Sequence, residues 1–422
     1  MFCIGDEGAR KKMTRKTFFK LLPLLFLYFG VLFFFVRWTL DFGDESRYAM
    51  YAENLTRGFY APADTLFLRN GPGYPLLLTP FAFFDVPWIY AKMLNPLFFF
   101  LAVCFFYSAV RSFASERPAL FFAYLFSLYP PFYAELWLLL TEPFTLMLVT
   151  LFALLIVKWF QTAKLRFMFS AGVVCGYVAL TKVFFGYVIT AVLLMSLVLV
   201  FWSRTARKSL PIYAMALLLC VPYLAYTYHL TGKFFYWSNA GGELVYWLYT
   251  PYPDEFGSWK SDVDVATDPA LARHRPFYKE LEGLNFVQRD ERFKKKALEN
   301  IISNPRQILL NYASNLGRLF LNFPFSYKYQ HPRTLFYMAP NCLLLAAIIF
   351  SLYPLIKLRA YLPGFIIHAC IVSVAYICGH SLMAAMSRFL CTILPFVFLI
   401  IAYVATNLIQ LRTPENIIEH SA

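Results

Sequence analysis

The chain has 422 residues, of which 60% are hydrophobic, 20% are aromatic and 15% are charged, and its mean hydropathy is +0.56. This composition is too apolar for one or two soluble domains of the same length. Continuous apolar stretches of about 20 residues, the length of a membrane-spanning helix, recur along the chain. They also argue against a fibrous protein and an outer-membrane barrel, whose strands alternate in polarity. The sequence therefore predicts an all-α polytopic membrane protein.

The formal net charge of +14 arises from 38 Lys and Arg residues against 24 Asp and Glu residues. Basic residues concentrate in the cytoplasmic loops of membrane proteins, so the excess indicates topology and predicts no nucleic-acid partner. Of the eight Cys residues, only Cys3 lies away from the predicted spans, and no pair has Cys-x-x-Cys spacing. Neither a disulfide framework nor a zinc site is indicated.

The first apolar stretch, which begins at Leu21, follows a basic N-terminal segment. It is too long for a cleaved signal and lacks a small-residue cleavage site, so it is predicted to be a retained signal anchor. Ten spans are predicted, at residues 21–40, 88–110, 118–135, 143–160, 167–183, 184–202, 209–228, 334–356, 361–380 and 387–409. The short loops between them that are assigned to the cytoplasm are basic, as the positive-inside rule requires, and both termini are predicted to be cytoplasmic.

Two long segments are then left on the outer face, at residues 41–87 and 229–333. The first contains a polar amphipathic stretch, a Gly/Pro-rich turn and an apolar piece too short to span, which is predicted to lie in the membrane interface. The second has mixed charge and a helix-like basic run, ERFKKKALENII. The predicted organisation is a transmembrane module at 1–228, a periplasmic region at 229–333 and C-terminal helices with a short tail at 334–422.

The acidic pair that follows the first span is the first candidate site. A charge at membrane depth costs about 2.5–3.5 kcal/mol on insertion scales, so such residues suggest function. Asp44 and Glu45 follow the first span, and Arg47 lies three residues after Asp44, on the same face of a helix. The alternative is an ordinary helix start, with Asp44 as N-cap and Arg47 as a surface partner.

Four further charged residues are assigned to the same outer face. Glu142 opens the fourth span, where an acid before proline is also an ordinary helix start. Lys182 lies between two spans and Arg388, near His380, begins the last span; both could be interfacial anchors. Arg69 lies in the Gly/Pro turn and could simply occupy a loop. Their common face favours one membrane-level site for an anionic lipid substrate.

These residues lie in short motifs whose order resembles a known family. The motifs are D-E-S-R-Y-A, a Gly/Pro-rich Y-P segment, T-E-P, A-L-T-K, T-G-K-F-F-Y-W-S-N-A-G-G-E-L and S-R-F-L-x-x-x-L-P. Over residues 35–400 the series resembles the GT-C glycosyltransferases, and most closely the bacterial relatives of dolichyl-phosphate-mannose protein mannosyltransferases and of the lipid A aminoarabinose transferase. The resemblance implies transfer of a sugar from a polyprenyl-phosphate donor to a glycan, lipid or protein acceptor, at the periplasmic face of a bacterial inner membrane.

The resemblance also implies roles for individual residues. Asp44 and Glu45 match the family's Asp-Glu pair, whose first acid is the proposed general base or acceptor-orienting group, and Glu142 matches a second acidic motif. The basic positions expected to bind the donor phosphate are Arg47, Arg69, Lys182 and Arg388. One departure concerns the turn at residues 69–72, which reads Arg-Asn-Gly-Pro where the aminoarabinose transferases have a Lys before their Pro-rich turn. This departure weakens an assignment to that branch.

The residue types suit this chemistry. A sugar phosphate leaves readily once its charge is neutralised, so the site needs cations more than a general acid. One carboxylate can take the proton of the attacking acceptor, and Asp44 in that role predicts a single displacement with inversion. Two alternatives stay open: a glycosidase-like pair of Asp44 and Glu142, and a divalent cation held by the two.

Two other classes of protein compete with a transferase. A flippase or transporter of lipid-linked sugars would use the same charges along a translocation path, but it predicts charges in both halves of the membrane. A purely structural membrane subunit would explain the spans but not the ordered motifs. The sequence specifies neither the sugar nor the acceptor.

Overall fold

A computed structural model describes residues 13–40, 43–324, 334–383 and 385–409. Every regular element in these ranges is a helix, and several helices are long and apolar, so the predicted all-α polytopic class is confirmed. The two predicted cytoplasmic termini, with Cys3, and residues 325–333 of the second outer segment lie outside the described residues.

The helices follow one another with short connections. Those of the first half are α1 Arg15–Phe35, α2 Gly43–Thr56, α3 Gly73–Phe83, α4 Trp88–Lys92, α5 Leu94–Arg111, α6 Glu116–Ser127, α7 Thr141–Thr162, α8 Leu165–Thr181, α9 Phe184–Leu199 and α10 Arg204–Thr231. Those of the second half are α11 Gly241–Leu248, α12 Asp262–Thr267, α13 Arg275–Lys279, α14 Phe286–Ser303, α15 Pro305–Leu321, α16 Thr334–Lys357, α17 Gly364–His380, α18 Ser387–Leu390 and α19 Leu394–Tyr403.

Within the described ranges, five helical stretches are long and apolar enough to cross a membrane, namely α1, Trp88–Arg111, α7, α10 and α16. Shorter apolar helices accompany them: α3, α8, α9, α17 and Leu394–Leu408. The predicted number of ten spans therefore stays a prediction.

The span predicted at 118–135 departs most from the observed helices. Its helix, α6, ends at Ser127, and a 3-10 turn occupies Pro130–Glu135. Two consecutive prolines cannot donate backbone hydrogen bonds and disfavour a helical residue before them. The remaining 12 residues reach only about 18 Å, which is short of a bilayer core.

The helices that support the site pack closely because small residues line their contacts. α8 packs between α7 and α10. A Cβ at Gly172 would lie 2.7 Å from Met215 Cβ, and one at Gly176 would lie 2.7 Å from the carbonyl oxygen of Ala216. Glycines four residues apart thus allow α8 and α10 to approach, as in small-xxx-small contacts of membrane helices. This packing fixes the end of α8, where Lys182 follows.

The two outer segments fold into helices. The predicted amphipathic stretch is α2 and the short apolar piece is α3, which packs on α2 and α8. The basic run of the second segment lies in α14, which Asn285 and Gln288 begin with a capping box. This segment has a small core of its own, formed by Tyr246, Trp247, Val265, Leu271, Leu281 and Phe293. The domain boundaries proposed from the sequence stay a prediction.

Candidate active site

One cavity of about 250 Å³, called here the first cavity, collects charged side chains from distant parts of the chain. Of the seven predicted site residues, six line it: Asp44, Arg47, Arg69, Glu142, Lys182 and Arg388. They come from α2, the Gly/Pro turn, the start of α7, the residue after α8, and α18. The folding of the chain therefore creates one polar site from residues that are separated by up to 344 positions.

Asp44 is held between two arginines. Its Oδ2 accepts a hydrogen bond from Nη2 of Arg388 at 3.0 Å, and its Oδ1 accepts one from Nη2 of Arg47. Burial by itself would raise the pKa of the Asp44 carboxyl, but the charges of Arg388 and Arg47 outweigh it and hold this pKa below its ordinary value. At neutral pH Asp44 is consequently an ionised carboxylate.

A second ion pair lies across the cavity. Nζ of Lys182 donates to Oε1 of Glu142 at 2.8 Å, and both side chains are largely buried. The ammonium of Lys182 also lies 5.7 Å from the ring centre of Phe389, and the guanidinium of Arg388 lies 5.2 Å from the same ring. Phe389 therefore contributes its electron-rich ring to both cations, which helps to keep two like charges in one site.

The Gly/Pro turn reaches the cavity because its glycines lie against the end of α8. A Cβ at Gly71 would lie 2.1 Å from the carbonyl oxygen of Leu180, and one at Gly73 would lie 2.5 Å from Oγ1 of Thr181. Any larger residue would push the turn away. This close approach brings Arg69 and Asn70 to the same cavity as Lys182.

The sequence analysis did not identify the partner of Arg69. Nη1 of Arg69 donates to Oε2 of Glu243 at 2.8 Å, while Nε1 of Trp259 donates to Oε1 of the same carboxylate at 3.1 Å. Glu243 belongs to α11, so the second outer segment forms one wall of the cavity. Its position in the quoted G-G-E-L motif was the signal that could have identified it.

Asn70 and Tyr48 were also missed as lining residues. Nδ2 of Asn70 donates to the hydroxyl of Tyr48 at 3.2 Å, and Oδ1 of Asn70 accepts from Arg47 at 3.5 Å. Tyr48 follows Arg47 in the D-E-S-R-Y-A motif, and Asn70 follows Arg69 in the turn. Asn70 therefore links the hydroxyl of Tyr48 to the guanidinium of Arg47, whose other terminal nitrogen contacts Asp44.

Glu45 is the predicted site residue that does not line the first cavity. The structure does not bring it to the first cavity: it is fully buried, and its Oε1 lies 2.9 Å from Nζ of Lys92 and 2.7 Å from the backbone nitrogen of Leu139. Successive residues of a helix point about 100° apart, so Asp44 faces the cavity while Glu45 faces the core. Glu45 therefore holds the start of α2 against the core, and its predicted catalytic role stays a prediction.

The arrangement does not fit the divalent cation that was considered at Asp44 and Glu142. Both oxygens of Asp44 accept hydrogen bonds from arginines, and Glu142 is paired with Lys182. No group of three or more His, Cys, Asp or Glu residues with metal-binding proximity occurs among the described residues. The neighbouring cations would repel a divalent ion, because like charges at short distance repel each other. They also occupy the carboxylate oxygens that such an ion would need as ligands.

Comparisons with known proteins are informative only at the level of structure. No model of a protein family matches the sequence, and no curated protein matches it. The oligosaccharyltransferase from Archaeoglobus fulgidus in its apo form aligns over 94% of this chain and 51% of that chain, at 12% identity and a TM-score of 0.55. The archaeal oligosaccharyltransferase AglB from Archaeoglobus fulgidus, in complex with an inhibitory peptide and a dolichol-phosphate, aligns over 96% of this chain and 54% of that chain, at 13% identity and a TM-score of 0.51.

ArnT from Cupriavidus metallidurans, bound to undecaprenyl phosphate, aligns over 92% of this chain and 76% of that chain at 15% identity. Its TM-score of 0.41 is too low to support an argument. The chain spans about half the length of the oligosaccharyltransferase. At such identities a likeness establishes the fold alone, and at that level the predicted resemblance is confirmed: this chain shares the fold of the oligosaccharyltransferase.

Proposed function

We propose that this protein is a membrane glycosyltransferase that moves a sugar from a polyprenyl-phosphate donor to an acceptor at the periplasmic face of a bacterial inner membrane. The observation that supports it most is the first cavity, where four cations outnumber two carboxylates and two of the cations, Arg47 and Arg388, hold the ionised carboxylate of Asp44. A site of this charge suits a reaction that releases a phosphate and takes up one proton. The shared fold with an oligosaccharyltransferase makes such a reaction a plausible use of the cavity.

The cations would bind the phosphate of the donor. The cationic groups of Arg388 and Lys182 lie 5.2 Å and 5.7 Å from the ring centre of Phe389, and Arg47 lines the same cavity. When the bond between C1 of the sugar and the phosphate oxygen breaks, negative charge develops on the phosphate. Cations already in place, in a site with little water, stabilise this charge without reorganisation. The leaving polyprenyl phosphate therefore needs no proton from the protein.

Asp44 would act on the acceptor. In the free protein two arginines hold its pKa low, which makes it a weak base. A donor phosphate that binds Arg388 and Arg47 would weaken both contacts and add a negative charge nearby, and either change raises the pKa of Asp44. Base strength would then appear only when the donor is bound, which protects the donor from premature attack by water.

The proposed step is one displacement. The acceptor hydroxyl or amine attacks C1 from the face opposite the phosphate, the C1–O bond to the phosphate breaks, and its electrons stay on the phosphate. The acceptor proton passes to Asp44, and the configuration at C1 is inverted. Glu142 is paired with Lys182, so it would position this cation rather than serve as a second nucleophile.

The topology belongs to the proposal as well. The basic loops at the opposite ends of the helices favour an outer location of the first cavity, with both termini in the cytoplasm. The donor, its acceptor and the phosphate site would then meet at the periplasmic end of the helices, where a polyprenyl head group lies.

The test uses purified protein in detergent, where no two compartments exist. Undecaprenyl-phosphate sugars extracted from membranes of the source cell would serve as donors, with extracted glycolipids as acceptors, and mass spectrometry would follow the donor. A transferase releases undecaprenyl phosphate and an extended acceptor, whereas a flippase leaves the donor intact. An intact donor with the wild-type protein, under conditions where it binds donor, would overturn the proposal. Asp44→Asn is the matched inactive control.

A further inference from the structure

A second cavity of about 590 Å³ lies in the second outer segment, apart from all seven predicted site residues. Side chains from α11, α13 and α14 and from the turn after α11 surround it. Its lining combines half-buried aromatic rings, such as Tyr252 and Phe277, with charged and amide side chains. A concave site with ring surfaces and a few polar groups is typical of small-molecule binding.

The charges of this second cavity differ in whether the protein already satisfies them. Arg273 is paired with Asp254 at 2.6 Å and with Glu255 at 2.8 Å, and it lies 4.0 Å from the ring centre of Tyr252. By contrast, Arg292 and Lys295, one turn apart on α14, make no hydrogen bond or ion pair within the described part of the chain. These two cations are available to an anionic group.

Asn300 supplies an independent observation. It is only 8% exposed, it lines the second cavity, and its side-chain amide makes no hydrogen bond to any described residue. Buried amides almost always have hydrogen-bond partners. Asn300 is two turns after Arg292 on α14, so a ligand that reaches both would meet a cation and a neutral donor and acceptor in one row.

The second cavity adjoins the first through α11. Leu244 of this helix lines the first cavity, and Tyr246 lines the second. Residues two positions apart in a helix are separated by only about 3 Å along the axis, and their side chains point to nearly opposite sides. α11 is consequently a wall shared by the two cavities, and Glu243, which holds Arg69, directly precedes Leu244 on this helix.

We propose that the second cavity binds an acidic saccharide, with its phosphate or carboxylate on Arg292 and Lys295, its hydroxyls on Asn300, and its carbon face on Tyr252 and Phe277. The mixture of these groups fits a sugar that is both polyhydroxylated and charged. The bound saccharide would be part of the acceptor. This assignment rests on the proposed function, whereas the binding of the saccharide to the second cavity does not.

The experiment measures thermal stabilisation of the full-length protein in detergent as a function of ligand concentration. Glucose 6-phosphate is the probe, and glucose and inorganic phosphate are the comparison ligands. We expect glucose 6-phosphate to stabilise the wild-type protein at lower concentrations than either comparison ligand. The double variant Arg292→Ala, Lys295→Ala should weaken this effect about tenfold or more, and Asn300→Leu should weaken it as well.

Two control variants locate the binding. Arg306→Ala removes an exposed cation that lines neither cavity, and it should leave the response unchanged. Arg388→Ala alters the first cavity and should also leave it unchanged. A response that is lost in Arg388→Ala but kept in the double variant would overturn the proposal, as would equal stabilisation by inorganic phosphate. The measurement involves neither a donor nor transfer. A lack of stabilisation by glucose 6-phosphate would therefore leave the proposed transferase function untouched. Conversely, a protein without transferase activity could still bind the saccharide.

Discussion

Asp44 and Glu45 are neighbours in the chain, yet they lie in two different environments. Asp44 lines the first cavity between two arginines, and its side chain is 21% exposed. Glu45 is fully buried against Lys92, which also donates to the carbonyl oxygens of Arg37 and Thr39. One acidic pair therefore supplies both a group that lines the cavity and a group that holds the start of the same helix against the core.

The difference shows why a motif cannot be divided into functional and structural residues by residue type. Both acids are paired with basic residues, but only the pair that lines the cavity would be able to exchange its partner for a ligand. Breaking a buried pair costs several kcal/mol, because the remaining charge stays in the core without an opposite charge to compensate it. An exchangeable pair such as Asp44 and Arg388 can instead give up its contact to an incoming phosphate. The predictions below test this division.

The largest expected effect is all or none and concerns the side of the membrane on which Asp44 lies. Ser46 is exposed on α2, two residues from Asp44. We expect Ser46→Cys to react with a membrane-impermeant thiol reagent in intact cells with a permeabilised outer membrane. Thr162→Cys, at the exposed opposite end of α7, should react only after the inner membrane is lysed. The reverse pattern would invert the topology and remove the site from the periplasm.

Next in size is the loss of turnover in Asp44→Asn. The amide keeps the shape of the side chain but cannot accept a proton, so we expect turnover to fall by about 10²–10⁴-fold. Thermal stability and insertion should change little, and the loss should lie in turnover more than in donor binding. Steady-state kinetics on the purified variant measure this. Turnover equal to the wild type would assign Asp44 to the helix start only.

A smaller effect, on stability, is expected for Glu45→Gln. The variant leaves the ammonium of Lys92 buried beside a neutral amide, and we expect a loss of about 3–5 kcal/mol in the free energy of unfolding. Adding Lys92→Met should recover much of it, since the uncompensated charge is then gone. Thermal unfolding in detergent measures both variants.

The matched control for this pair is Lys20→Ala. Lys20 pairs with Glu116 at 2.8 Å, but both side chains are more than 40% exposed. An exposed pair contributes about 0–1 kcal/mol, so its removal should have little effect. If Glu45→Gln lost no more stability than Lys20→Ala, the structural role of Glu45 would be wrong.

The sequence was sufficient for the class of protein and for placing six charged residues that line the first cavity on one face, since apolar length and loop charge depend on local composition. Arg47 could be paired with Asp44 because residues three positions apart on a helix lie on the same face. The contact of Lys182 with Glu142 could not be derived, because it depends on how α7 and α8 pack. The burial of Glu45 was not predicted, because the sequence pattern does not specify the residue at which α2 begins and therefore does not specify which way each acid faces.

The smallest predicted effect distinguishes the charge of Arg388 from its shape. Arg can contact two phosphate oxygens at once, whereas Lys offers a point charge, so Arg388→Lys should raise the donor concentration for half-maximal rate by about tenfold. Arg388→Ala also removes the charge next to Asp44 and should nearly eliminate transfer. A residue that only anchored the helix at the interface would be replaced by Lys without loss, because both side chains extend to the surface. Donor titrations of the three purified proteins decide between these roles, and three superimposable curves would exclude phosphate binding by Arg388.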